Sequence, residues 1–198
     1  MNYAKLSSLR EKIYFPADEV ARVLGIQPVS ARVLCSRYAR QGLFYSLKRG
    51  YFILAEKWKA LTREEFFQVA NLLQVPSYIS FTTVLAYYNL TTQTQRNFWE
   101  SAARKRTRKF QIEQDEFFYF KLKPELYFGF EKKNGVFIAA PEKAFLDAVY
   151  LCSLGRYSLD ISALETGKFD RGRLKTWAKR YPGKTQEMVK KICGIIRI

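Results

Sequence analysis

A chain of 198 residues, 48% hydrophobic and 16% aromatic, is long enough to bury a core and too apolar to stay disordered. It carries 34 Lys and Arg against 18 Asp and Glu, a formal charge of +16, and no histidine. That balance implies a polyanionic partner, nucleic acid or an anionic membrane surface, and the missing histidine removes the commonest general base and a very common metal ligand.

Carboxylate-held magnesium chemistry survives that test, but neither paired carboxylates nor a glycine-rich phosphate loop is evident, so no enzyme, cofactor or metal site is expected. The apolar runs are short and broken by charge, which speaks against a transmembrane helix. The start, MNYAKLSSLREK, lacks the apolar stretch of a signal peptide, and the expected compartment is the cytoplasm. Cys35, Cys152 and Cys193 are odd in number and without a CxxC pair, so they read as reduced thiols.

In chain order, residues 4–11 read as a short helix. Pro16 starts the next, with Asp18 and Glu19 in its first turn, where the helix dipole favours negative charge. Val20, Val23 and Leu24 follow, and Gly25 stops it. Pro28 opens a third helix that runs to about Gln41 and closes at Gly42. LFYSL and YFIL then alternate as strands around Lys48-Arg49-Gly50, a turn with glycine where positive φ is expected. This order predicts a winged helix-turn-helix over residues 1–56.

A second domain is expected over 62–198. Thr62 and Glu65 have capping-box spacing at the start of a helix over 62–73, and Ser80–Tyr88 continue as another. FWESA, RKFQI, EFFYFKL, LYFGF and GVFIA, between residues 98 and 139, are short β-rich runs that predict an antiparallel sheet. Pro141 starts a helix at PEKAFLDAVYLC, and the last fifty residues read as mainly helical. The expected class is α+β: a winged helix-turn-helix, then a mixed α/β domain with an antiparallel sheet and a helical C-terminus. Glu142 and Asp147, five apart, fall on different helix faces and form no acid–base pair. Both domains are basic, since residues 1–56 hold nine basic and four acidic side chains and residues 57–198 hold 25 and 14.

At 100° per residue, helix 28–41 divides into two faces. Ala31, Leu34, Cys35 and Tyr38 share one sector; Val29, Arg32, Val33, Ser36, Arg37 and Arg40 share the other. An apolar seam backed by three arginines suits the major groove, where Arg forks onto guanine O6 and N7 and Val meets a thymine methyl. Gln27, Val29, Ser30, Arg32 and Val33 are the base-reading candidates, with Ser36 on the same face. Arg37, Arg40, Lys48 and Arg49 are expected at phosphates or the neighbouring minor groove. The competing readings are a solvated helix face and a winged helix used for protein contacts. A glycine turn, a proline start, a basic face and a basic hairpin in one segment favour DNA.

A second basic cluster, RKRTRK, gathers Arg104, Lys105, Arg106, Arg108 and Lys109. It reads either as a charge-protected turn or edge strand or as a loop that contacts RNA or other phosphates. Lys168, Arg171, Arg173, Lys175, Lys179, Arg180 and Lys184, at helical spacing, read as a solvated face. The aromatics of FFYFKLKPELYFGF read as core, because the signature of an RNA-recognition sheet is missing.

From residue 15 to about 152 the chain resembles the AbiEi antitoxin family of abortive-infection (type IV) toxin–antitoxin systems. The pieces that carry the resemblance are ARQGLFYSLKRGYFIL, QVANLLQVPSYISFTTVLAYYNLT, SAARKRTRKFQI, FFYFKLKPELYFGF and IAAPEKAFLDAVYL. The resemblance implies a non-enzymatic, two-domain protein whose winged helix binds inverted repeats in its own promoter and represses the operon. It also implies a C-terminal domain that counters a nucleotidyltransferase toxin without forming a stable complex. The family's DNA contacts then fall on the helix 28–41 residues above and on Lys48 and Arg49. Arg104–Lys109 becomes a candidate antitoxicity patch that could shield the toxin's RNA target. A stand-alone winged-helix regulator and an RNA-binding protein remain the alternatives.

Overall fold

Two units divide the chain, Met1–Leu73 and Gln74–Ile198. The computed structural model describes residues 2–93 and 95–195, so residues 196–198 of the expected second domain lie outside the described residues. Among the described residues the class is mixed α and β, with eight α-helices, two sheets and a helical C-terminal part. No described helix is long and apolar enough to cross a membrane.

The first unit opens with a 3-10 helix over Asn2–Leu9 in place of the expected helix over 4–11. Three residues per turn eclipse positions i and i+3, which stacks Leu6 and Leu9 into the core at 1% and 0% exposure. A short strand β1 (Phe15–Pro16) leads into α1 (Ala17–Leu24) and α2 (Pro28–Arg40). Gly25 ends α1 at φ 64°, a left-handed conformation that costs glycine little, and the Ile26 N–H donates back to the Ala21 carbonyl at 3.0 Å. This tight turn brings α2 against α1.

Strands β2 (Phe44–Lys48) and β3 (Tyr51–Leu54) form the expected hairpin, with Gly50 at φ 79° in its turn. β1 pairs with the far side of β3, and the order is β1-β3-β2, antiparallel throughout. Phe44 is wholly buried and meets Phe15 and Tyr38 edge-on, with ring centres 5.3 Å apart in each case. Such pairs add to the gain from burial alone.

Helices α3 (Ala55–Lys59) and α4 (Arg63–Leu73) also belong to this unit. The boundary therefore falls after Leu73, not between 56 and 62. Trp58 packs edge-on to Tyr45 and to Phe66, at 6.0 and 5.2 Å, and Lys57 pairs with Glu65 at 2.7 Å. The capping box has both halves: the Thr62 N–H donates to Glu65 Oε2 at 2.9 Å, and the Glu65 N–H donates to Thr62 Oγ1 at 3.3 Å.

The second unit holds β4 (Ser77–Ile79), α5 (Phe81–Tyr87), β5 (Phe98–Ala103), β6 (Arg108–Ile112), β7 (Asp115–Lys121), β8 (Phe130–Lys133), β9 (Val136–Ala139), α6 (Pro141–Ser153), α7 (Arg171–Ala178) and α8 (Gly183–Ile195). Its six strands lie in the order β6-β7-β5-β4-β9-β8. The expected antiparallel sheet is instead mixed: β5 runs parallel to β7, and β4 parallel to β9. The tight β6–β7 turn forces those two to be antiparallel, and β7, not β6, settles beside β5. Period-2 alternation identifies a strand but carries no partner or direction.

The expected strand LYFGF is a second departure. Pro124–Leu126 form a 3-10 turn and β8 begins only at Phe130. Gly129 sits at φ 69° where an added Cβ would meet the Trp177 ring at 3.1 Å and the Lys143 stem at 3.2 Å. A close approach of this kind needs glycine. Helix α6 is buried on nearly every side. Between it and α7 the only helical piece among the described residues is the 3-10 turn Thr166–Lys168, so this stretch is less helical than expected.

Candidate nucleic-acid interface

Helix α2 has the two faces its sequence dictates. Ala31, Leu34, Cys35 and Tyr38 are buried, and Val29, Ser30, Arg32, Val33, Ser36, Arg37 and Arg40 are exposed, as is Gln27 at the N-cap. Its thirteen residues include three arginines and no carboxylate. Burial pushes the Cys35 thiol up to about 11, so the seam side is inert.

Between α1, α2 and the hairpin turn lies an open cleft of about 550 Å³ lined by Asp18, Arg32, Ser36, Arg49 and Gly50, among others. It unites Arg32 and Ser36 of α2 with Arg49 of the turn. Ser36 Oγ donates to the Arg32 carbonyl at 3.0 Å, which fixes its rotamer. An Arg32 guanidinium nitrogen stands 3.6 Å from Asp18 Oδ1, with both groups about two-thirds exposed. A pair so open is worth little to stability, but it leans the guanidinium toward the cleft. Gln27, Val29, Ser30, Val33, Arg37 and Arg40 continue the α2 surface outside the cleft.

Lys48 departs from the expected phosphate contact. Its Nζ donates to the Leu72 carbonyl at 2.8 Å and lies 4.9 Å from the Tyr51 ring centre, and burial lowers its pKa. The ammonium thus satisfies a carbonyl in the last turn of α4. Of the two basic turn residues, Arg49 is the exposed one.

The RKRTRK cluster splits in two. Arg104, Lys105 and Arg106 are exposed in the β5–β6 connection, while Arg108 and Lys109 stand on β6, an edge strand. Lys109 pairs with Glu116 across the β6–β7 ladder at 2.5 Å, and the Arg108 guanidinium lies 4.3 Å from the Phe110 ring centre. The Arg106 carbonyl accepts from Gln74 Nε2 at 2.8 Å. In the third cluster, Arg173 pairs with Glu142 at 3.4 Å, and the Arg180 guanidinium lies 3.5 Å from the Phe128 ring centre.

A buried polar cluster escaped the sequence reading. Lys143 and Asp147, one turn apart on α6, are paired at zero exposure. Asp147 Oδ2 accepts from Tyr78 OH and Ser80 Oγ at 2.9 and 2.8 Å, and Oδ1 accepts from Tyr181 OH at 3.0 Å. Lys143 Nζ also donates to Tyr181 OH at 2.8 Å and lies 4.8 Å from the Phe128 ring centre. Burial lowers the Lys143 pKa, with Asp147 opposing the shift, and burial raises Tyr78 and Tyr181 well above the ordinary tyrosine value. The i,i+4 spacing of Lys143 and Asp147 on one helix face is the signal in the sequence that points to the pair. Sealed from solvent, the cluster ties β4 and α6 to Tyr181, just ahead of α8.

No group of three or more Cys, Asp and Glu side chains among the described residues is placed to hold a metal ion. No family model, curated protein or solved structure matches the chain.

Proposed function

We propose that the first unit is a winged helix-turn-helix that binds double-stranded DNA, with α2 in the major groove and the β2–β3 turn as the wing. The observation that carries this reading is the cleft that joins Arg32 and Ser36 of α2 to Arg49 of the turn, beside a carboxylate-free helix face. A phosphate backbone entering there meets cations from both elements, with Asp18 of α1 at the same cleft, and the rest of α2 extends over the base edges. Arg40 and Arg37, in the last turn of α2, and Arg49 are assigned to phosphates.

The charge of +16 and the resemblance to AbiEi antitoxins extend the reading. The chain is a non-enzymatic repressor of its own operon, and its second unit counters a nucleotidyltransferase toxin without a stable complex. Arg104, Lys105, Arg106, Arg108 and Lys109 supply the basic surface for that second task.

Two experiments separate these claims. A gel-shift titration against duplex DNA from upstream of the reading frame should give preferential binding, with the slope of log K against log salt near −0.9 for each phosphate neutralised. Arg49→Ala and Arg40→Ala should each lower that slope by about one. Equal affinity for an unrelated duplex of the same length would refute sequence-specific repression. In a growth assay with a co-expressed nucleotidyltransferase toxin, alanine at Arg104, Lys105, Arg106 and Arg108 should weaken neutralisation and leave upstream-DNA binding intact. Full neutralisation by that variant would remove the antitoxic role of the patch.

A further inference from the structure

Val29 and Val33 are 70% and 65% exposed, the most open large hydrophobic side chains among the described residues. They stand one turn apart on α2, on the surface assigned above to DNA, and outside the cleft that holds Arg32. An isolated exposed valine is ordinary; two aligned on a face otherwise made of Arg, Ser and Gln are a short apolar strip in a polar surface. In the major groove the one apolar landmark among base edges is the C5 methyl of thymine. We infer that Val29 and Val33 set the sequence preference of this helix by packing on the methyls of two thymines, while Arg32, leaning toward Asp18 and the cleft, meets a phosphate and positions the helix.

This inference rests on the DNA-binding reading and reverses the expectation that Arg32 reads guanine. Side chains four apart on a helix have Cβ atoms about 5–6 Å apart, and successive bases on a strand are about 3.4 Å apart along the axis. The two methyls therefore belong to T·A pairs one or two steps apart. The recognised class is duplex DNA with a closely spaced thymine pair, on one strand or one on each.

The test uses the full chain and the tightest duplex it selects from a random pool. Each thymine is replaced in turn by deoxyuridine, which removes only the methyl. Two positions one or two steps apart should each lose about fourfold in affinity, the value of one buried methylene, and other positions should lose nothing. A Val29→Ala, Val33→Ala variant, which removes only exposed methyls and keeps its fold by circular dichroism, should bind both duplexes with nearly equal affinity. Arg32→Ala should weaken binding to all duplexes by a similar factor and return the same selected sequence. Indifference of the wild type to deoxyuridine at every position would overturn the proposal while leaving DNA binding intact, as would a changed base preference in Arg32→Ala. Failure to enrich any sequence would instead refute the specific DNA-binding reading itself, and this inference with it.

Discussion

Lys143 and Asp147 are at zero exposure with every polar atom of the pair satisfied by a hydroxyl or by the other partner. Removing one charge strands the other in a medium that cannot solvate it. Lys143→Ala should cost about 3–5 kcal/mol in urea denaturation, and a loss below about 1 kcal/mol would mean that water reaches Asp147. Glu100 is another buried carboxyl group, 1% exposed. Its Oε1 accepts from Tyr157 OH at 2.8 Å, and Oε2 accepts from Gln95 Nε2 and the Thr83 N–H at 3.1 and 3.2 Å. Burial raises its pKa above 4.5, and those hydrogen bonds offset only part of the rise. A raised folded-state value means that the ionised form opposes folding, so the Glu100 contribution is best below the unfolded value and declines as pH rises through the folded one. Glu100→Gln should therefore be at least as stable as wild type at pH 7 by urea denaturation, and the difference should shrink toward pH 4.5. A variant that loses stability equally at both pH values would show that the hydrogen bonds, not the charge, dominate there.

Among the elements, those fixed by local chemistry were legible. Gly25, Pro28, Gly42 and Gly50 punctuate α1, α2 and the hairpin as their stereochemistry requires, and the Thr62–Glu65 box starts α4. The two faces of α2 followed from its period alone. Elements defined by distant partners were not legible. β1 is two residues long and exists because Phe15 and Pro16 pair with β3. β4 is three residues just ahead of α5, too short for a period-2 pattern, and it exists because β5 and β9 flank it. The inward turn of Lys48 depends on the Leu72 carbonyl, 24 residues away. Its neighbour Arg49 has the same charge and the opposite fate, and nothing in the local sequence distinguishes them.

For the whole molecule, the position of the division matters more than its existence. A cut after residue 56 would leave Trp58, Lys57 and α4 on the wrong side, exposing Tyr45 and freeing Lys48. A fragment of residues 1–73 should melt cooperatively in circular dichroism, and a fragment of residues 1–56 should not, or should melt much lower. Equal melting of the two would show that α3 and α4 contribute nothing to the first unit. The positive excess is spread over both, +6 in residues 1–73 and +10 in residues 74–198, so salt should weaken contacts of either with a polyanion.

The order β6-β7-β5 gives the basic connection between β5 and β6 a task of its own. With β7 inserted between them, residues 104–107 must bridge two strand spacings, about 9.5 Å, instead of folding into a hairpin. From Ala103 to Arg108 the chain takes five residue steps, a reach of roughly 17 Å when nearly straight, so the connection spans the gap with slack and bends at Arg104 and Lys105. Three of its four residues are cations, and all four are exposed. The connection must therefore cross the C-terminal end of β7, where the Lys121 N–H donates to Thr107 Oγ1 at 3.0 Å, and it carries Arg104, Lys105 and Arg106 out onto that rim of the sheet.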